Sequence, residues 1–197
     1  MKWSSAKADY QDPGAARWLS SRLQRYLGDV YAARPVVIVC IGTDRSTGDS
    51  LGPLVGTMLS KKKIDGIAVY GTLNEPVHAM NLRETLAAID DRFRQPYIIA
   101  VDACLGQFTS IGTIQLGEGP MKPGAGVNKD LPPVGDIHIT GIVNVGGFME
   151  YLVLQNTRLG LVMNMAELIA DAMAQALRLR PKASIFKPVS ESLAFLQ

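Results

Sequence analysis

Two runs of the chain, Val36-Val37-Ile38-Val39-Cys40-Ile41 and Tyr97-Ile98-Ile99-Ala100-Val101, are apolar at every position. A short run with no alternation, rich in β-branched residues, suits a strand buried on both faces. Sheets of that kind are parallel and need helices on either side. Three further strands are predicted. Ile67-Ala68-Val69-Tyr70 and Asp136 to Val143 join the sheet, and Thr113-Ile114-Gln115-Leu116 alternates as an edge or antiparallel strand does.

Helical spacing fills the intervals. Asp12-Pro13 opens a first helix, with Asp as cap and Pro at the first helical position, and Ala15, Trp18, Leu19, Leu23, Tyr26 and Leu27 form its apolar stripe. Leu51, Leu54, Val55, Met58 and Leu59 form a second stripe; with Ser50 as cap, Pro53 becomes the third helical residue, where a missing N–H costs nothing. Lys61-Lys62-Lys63 then reads as that helix's C-terminus. A third helix is expected from Glu75-Pro76, turning Val77, Met80, Leu82, Leu86 and Ile89 inward. Two more close the chain, at about 146–156 and 158–179. The predicted fold is a single α/β domain over 1–197: a three-layer α/β/α sandwich on a mostly parallel, mixed sheet.

Composition narrows the class. Of 197 residues, 47% are apolar and 19% charged, which suits one globular domain. The net charge of +2 lacks the basic surplus of a nucleic-acid binder. Cys40 and Cys104 lie in or beside apolar runs and read as free thiols in a reducing compartment. No segment approaches the ~20 apolar residues of a membrane span, and no signal peptide is evident. A cytoplasmic protein is expected.

Sheets of this architecture bind ligands at the carboxyl ends of their strands. Asp49 lies there, at the end of the loop Gly42-Thr43-Asp44-Arg45-Ser46-Thr47-Gly48 and at the mouth of a helix. Asp102 lies there too, just past Tyr97–Val101. Each alone is readable as a helix cap or turn residue. Together they can divide the roles of acid and base, because neighbouring carboxylates cannot both ionise cheaply. With a histidine they could instead hold a divalent metal ion, and only His78 and His138 are available. Residues 117–135 contain five Gly and four Pro. This long loop includes Lys122–Lys129, a candidate backbone-amide cradle for a substrate carbonyl or carboxylate around Gly124, Gly126 and Asn128. Asp44, Asn128 and His138 are further candidates for orienting a substrate. There is neither a standard phosphate loop nor a nucleophile elbow.

The segment Gly48-Asp49-Ser50-Leu51-Gly52-Pro53 resembles the Pro-Asp-Ala-Leu-Gly-Pro segment of the spore germination protease. Val101-Asp102-Ala103 resembles its second aspartate segment. Thr113–Leu116 and Pro123-Gly124-Ala125-Gly126-Val127-Asn128 resemble its next strand and Pro-Gly-Ser-Gly-Val loop. These matches fall in order over roughly 36–145. Taken whole, through Gly42–Pro53, Val101–Gly106, Lys122–Lys129 and His138–Asn144, the chain is closer still to the sporulation protein YyaC family, described as candidate spore proteases. The resemblance implies a phosphorylase/hydrolase-like α/β/α fold shared with hydrogenase-maturation endopeptidases. It implies that Asp49 and Asp102 are the two functional aspartates, or two acidic ligands of a nickel-sensing site with His138 as the natural third. It also implies an endopeptidase acting on a protein or peptide in the forespore or spore core. The chain departs from the germination protease in its shorter length, in lacking an obvious pro-segment, and in having Gly48 before the first aspartate. Two alternatives stay open: a non-catalytic peptide- or ligand-binding regulator, and a metal-dependent hydrolase. Assembly into a homo-oligomer also stays open, with the apolar tail (Phe186, Leu193, Phe195, Leu196) as one candidate surface.

Overall fold

The computed structural model describes residues 6–28, 34–123 and 131–179. Six strands form one sheet: β1 (Ala6–Asp9), β2 (Val36–Cys40), β3 (Ile67–Tyr70), β4 (Tyr97–Gly106), β5 (Thr113–Glu118) and β6 (Ile137–Val145), in the order β1-β5-β6-β4-β2-β3. The four strands from β6 to β3 run parallel, while β5 and β1 extend the sheet in antiparallel fashion. All five residues of β2 are buried, as its unbroken apolar run requires.

Alternate side chains feed two cores. Val36, Ile38, Cys40, Ile99, Val101, Ile137 and Ile139 pack with helices α1 (Ala15–Gly28), α2 (Leu51–Lys61) and α5 (Leu159–Arg178). Val37, Val39 and Ala100 pack on the opposite face with Leu82 and Ile89 of α3 (Leu82–Arg92), together with Phe93 and Val134. A short α4 (Glu150–Gln155) follows β6. The architecture is therefore the mixed α/β/α sandwich expected.

Several boundaries differ from the sequence reading. β1 was not anticipated: it is four residues long, contains Lys7, and alternates between half-buried and exposed, so it carries little apolar signal. Asp12-Pro13 lies in a turn before α1; Asp12 Oδ1 accepts the Gly14 N–H at 2.7 Å and its carbonyl accepts that of Ala15. α3 starts at Leu82, not at Glu75-Pro76. Val77 is instead held in a parallel bridge to Ile41, and Asn81 folds back to accept the His78 N–H and donate to the Pro76 carbonyl. Met80, expected inward, is 86% exposed in consequence. β4 continues to Gly106, so Asp102 lies within the strand rather than just past its end. The lysine run does close α2, where Lys62 pairs with Asp171 of α5 at 2.6 Å. Both cysteines are free thiols. Among the described residues no helix is long and apolar enough to cross a membrane. The candidate cradle residues Gly124, Gly126 and Asn128, and the tail from Pro181, lie outside the described residues.

Candidate active site

The register explains how Asp102 comes to lie beyond the end of β2. β2 stops at Cys40, which pairs with Val101, while β4 and β6 run on together as far as Gly106 and Val145. Asp102 is therefore the first residue of β4 with no β2 partner beside it. It shares a face with Ala100 and is paired with Thr140 of β6. It is nevertheless only 7% exposed, and Oδ1 accepts the N–H of Ala103 at 2.8 Å.

Asp49 reaches the same place from the loop after β2. Residues Gly48–Ser50 make a single 3-10 turn that leads straight into α2. The turn is seated by close backbone approaches that only glycine permits. A Cβ on Gly42 would lie 2.0 Å from the Asp49 carbonyl oxygen, and one on Gly52 would lie 2.1 Å from that of Ile41. Thr43 donates its N–H to the Asp49 carbonyl at 3.2 Å. On the other side, Gly48 packs directly against Leu154 and Thr157 at the end of α4. Neither acid is spent as a side-chain cap on α2: Ser50 holds the N-cap position without a side-chain cap bond, and its hydroxyl donates to Thr47 O at 2.6 Å.

Electrostatics separates the two carboxyls. Burial raises the pKa of half-buried Asp49. Asp102 is pushed up much further, first by burial and then by the charge of Asp49, with the Ala103 N–H pulling the other way. The neighbouring charge shows that the two side chains share one electrostatic environment. Of the two, Asp102 is the carboxyl that holds its proton to higher pH.

The remaining candidates are distributed differently. Asp44 is exposed on the turn of the loop. His138 lies on the same sheet face as Asp102 but two residues earlier in the paired register, about 7 Å back along the strand. Its Nδ1 faces the Gly119 carbonyl at 2.9 Å, and its ring lies over Gly117, where an added Cβ would be 2.4 Å from Nε2. A carbonyl only accepts, so Nδ1 carries the hydrogen. His138 thus braces the β5–β6 pair. Among the described residues no group of three or more His, Cys, Asp or Glu is placed to hold a metal ion. The three-ligand set with His138 does not fit these positions, and His78 belongs to the loop before α3.

Two neighbours were missed from sequence. Cys104 shares the Asp102 face of β4 and hydrogen-bonds Thr140, and burial lifts its thiol to about 11. Reading β4 to its full length would have placed both beside Asp102, because alternate strand residues share a face. Ser46, in the loop before Asp49, is buried with no hydrogen-bond partner for its hydroxyl; no sequence signal marks it.

Comparison with known proteins bears on the family and the fold. The chain is 56% identical over 165 residues to the uncharacterized protein YyaC of Bacillus subtilis (strain 168), covering 84% of this chain and 80% of that one. Its fold is similar to that of the [NiFe] hydrogenase maturation protease HycI from Thermococcus kodakarensis KOD1, with a TM-score of 0.51 and 21% identity over 77% of this chain and 98% of that one. The family model described as "Protein of unknown function (DUF1256)" matches residues 7–172, and the chain belongs to that family.

Proposed function

We propose that the protein is an endopeptidase in which Asp49 and Asp102 share the work of hydrolysis. The observation that carries this is the pairing of two unlike carboxyls: Asp102 is almost fully buried and disposed to keep its proton first by that burial and then by its neighbour's charge, while Asp49 is partly exposed. Asp49, as carboxylate, takes a proton from water while the water oxygen attacks the scissile carbonyl. Asp102 gives its proton to the leaving amine as the C–N bond breaks. The resting pair is regenerated when the proton taken up by Asp49 passes to Asp102.

The surroundings support a protein substrate. Phe108 lies just beyond β4, and Phe148 and Met149 just beyond β6; the two exits are joined by the Gly146 N–H bond to the Gly106 carbonyl at 2.8 Å. With Tyr151 and Leu152 of α4 these large apolar side chains stand exposed at the crevice end of the sheet, and contiguous exposed apolar surface marks contact with other proteins. Met149 is held at φ 50°, a left-handed conformation uncommon for a side chain of its size. The resemblance to spore proteases makes a protein of the sporulating or germinating cell the substrate we favour.

The test is cleavage of a fluorogenic peptide library by the purified protein and by its Asp49→Asn and Asp102→Asn variants. Loss of one acid–base partner should slow cleavage about 10²–10⁴-fold with the fold retained by circular dichroism. Full cleavage by both variants overturns the assignment. A pure binding protein would hold library peptides and release them uncut.

A further inference from the structure

The aspartate pair accounts for one end of the sheet and leaves its edge unexplained. β3 is an edge strand, and no described strand covers its outer side. Beside it runs a groove of about 690 Å³. Its walls are the whole of β3, the loop through Thr72, Glu75 and His78, and the flank of α3 at Asn81 and Thr85. All four β3 residues are half-buried, so the edge is neither capped by a strand nor fully open.

The backbone chemistry of that edge follows from the register. Ile41 gives its N–H to Val101 of β4, and Gly42 gives its N–H to Val77 on the other side. Backbone groups in a central strand alternate between its two neighbours, so Ile38 and Cys40, three and one residues before Ile41, both face β3 as Gly42 does. In a parallel ladder each residue bonds to those flanking its partner. Ile38 is partnered with Val69, so Ala68 and Tyr70 are used by β2. Ile67 and Val69 therefore turn their N–H and C=O groups away from β2, to the groove side, where no described strand pairs with them. A row of unpaired strand groups beside a concave wall is the arrangement that takes up an extended peptide as an added strand.

The groove ends beside the segment that seats Asp49, although neither aspartate lines it. Its inner end is Val77–His78, and Val77 bridges to Ile41 and accepts the Gly42 N–H at 2.8 Å. Gly42 in turn is packed directly on the backbone of Asp49. We infer that the β3 edge binds an extended segment of a polypeptide by strand addition, with the chain beyond it running past Val77 toward the loop that carries Asp49. β3 spans about 13 Å at ~3.3 Å per residue, so it grips about four residues through main-chain bonds. The lining supplies polar atoms and little deep apolar pocket, which suits a ligand recognised through its backbone.

This inference rests on the peptidase reading for its substrate, and the experiment separates the two. The probe is a mixed library of N-acetylated, C-amidated octapeptides, added to the full-length Asp49→Asn variant. Amide exchange is then followed by NMR. Strand addition predicts that the Ile67 and Val69 amides, fast in the free protein, slow tenfold or more, while the Ala68 and Tyr70 amides change little. Thr85→Trp, which fills the groove from α3, should weaken binding at least tenfold and raise KM for cleavage in the otherwise wild-type protein without lowering kcat. Protection at Ile67 and Val69 with no cleavage by wild-type protein keeps this site and removes the peptidase. Cleavage with no protection there, or with Thr85→Trp unchanged, overturns this site and keeps the peptidase. Protection that appears on concentrating the protein alone, without peptide, overturns it in favour of pairing between two copies.

Discussion

Gly52→Ala tests whether close packing of α2 on β2 is what places Asp49. The added Cβ would sit 2.1 Å from the Ile41 carbonyl oxygen, where side-chain atoms do not approach closer than 3.0 Å. The start of α2 must therefore lift from β2 by about 0.9 Å, or Ile41 must yield. Ile41 is itself tied on both sides, donating to Val101 and bridging Val77. The obstacle is backbone, with no rotamer to turn away, so the cost belongs near the upper end of the overpacking range, about 3 kcal/mol. Alanine's better helix propensity offsets up to about 1 kcal/mol of that. A net loss of about 2 kcal/mol corresponds to a melting temperature lower by roughly 4–8 °C for a chain of this size.

The functional consequence should exceed the thermal one. Asp49 is three residues before Gly52 on the same turn-and-helix unit. A displacement of about 1 Å at a reacting group can cost 10²-fold in rate. Gly160→Ala, in α5 with nothing within 4 Å of the new Cβ, is the control and should leave stability equal or slightly higher. Differential scanning calorimetry and library cleavage on the three proteins decide the matter. If Gly52→Ala melts at or above the wild-type temperature and cleaves normally, the close approach does not position Asp49, and the reasoning from glycine packing to site geometry is wrong.

Two further outcomes follow from the buried groups. The folded-state pKa of Asp102 is raised by burial and by Asp49, so its contribution is most favourable below the ordinary carboxyl range and is lost as pH rises through the folded value. Asp102→Asn should therefore be more stable than wild type at pH 8 and lose that advantage at pH 4 in urea melts, while Asp49→Asn should lower the Asp102 titration midpoint followed by carbon NMR; an advantage independent of pH would contradict the burial argument. Cys104, with its thiol near 11, should react with iodoacetamide only slowly at pH 7.5, with a rate climbing about tenfold per pH unit, and Cys40 should react only on unfolding; fast labelling of Cys104 at neutral pH, read by mass spectrometry, would mean that its thiol is not buried as described.

The parts of the fold visible in the sequence are those where one periodicity dominates. β2 and the first five residues of β4 are apolar throughout, and α5 keeps its stripe for twenty residues, so their kind and place could be read directly. The errors fall where tertiary contacts outvote local pattern. Residues 75–81 carry a plausible helical start, but Val77 is claimed by Ile41 across the sheet and Asn81 stops the turn from propagating backward. The last residues of β4, Asp102 to Gly106, are polar or small and lack strand character; they are held extended because β6 continues beside them. The same error hid Cys104 and Thr140 as neighbours of Asp102. His138 was visible as a lone histidine in a strand, and its attachment to Gly119 depends on a turn that no local rule specifies.

Asp102 itself is the strongest argument for the proposal that this end of the sheet is a working surface. Every other residue of β4 from Tyr97 to Val101 is apolar, and the strand would be at least as stable with a neutral side chain at position 102. Among the described residues the carboxyl has no cationic partner and no helix to cap; it accepts the adjacent Ala103 N–H, and the charge that acts on it is another carboxylate. A group that lowers stability at neutral pH and that neither packing nor secondary structure requires is what the proposed catalytic role would account for. The loop carrying Asp49 makes the same point from the other side. Gly42 and Gly52 give up side chains so that the turn can close onto β2, and that closure brings a second carboxylate toward the first against its electrostatic cost. Two independent departures from the most stable arrangement converge on one pair of oxygen-bearing groups, at the sheet end where the fold exposes its strand termini.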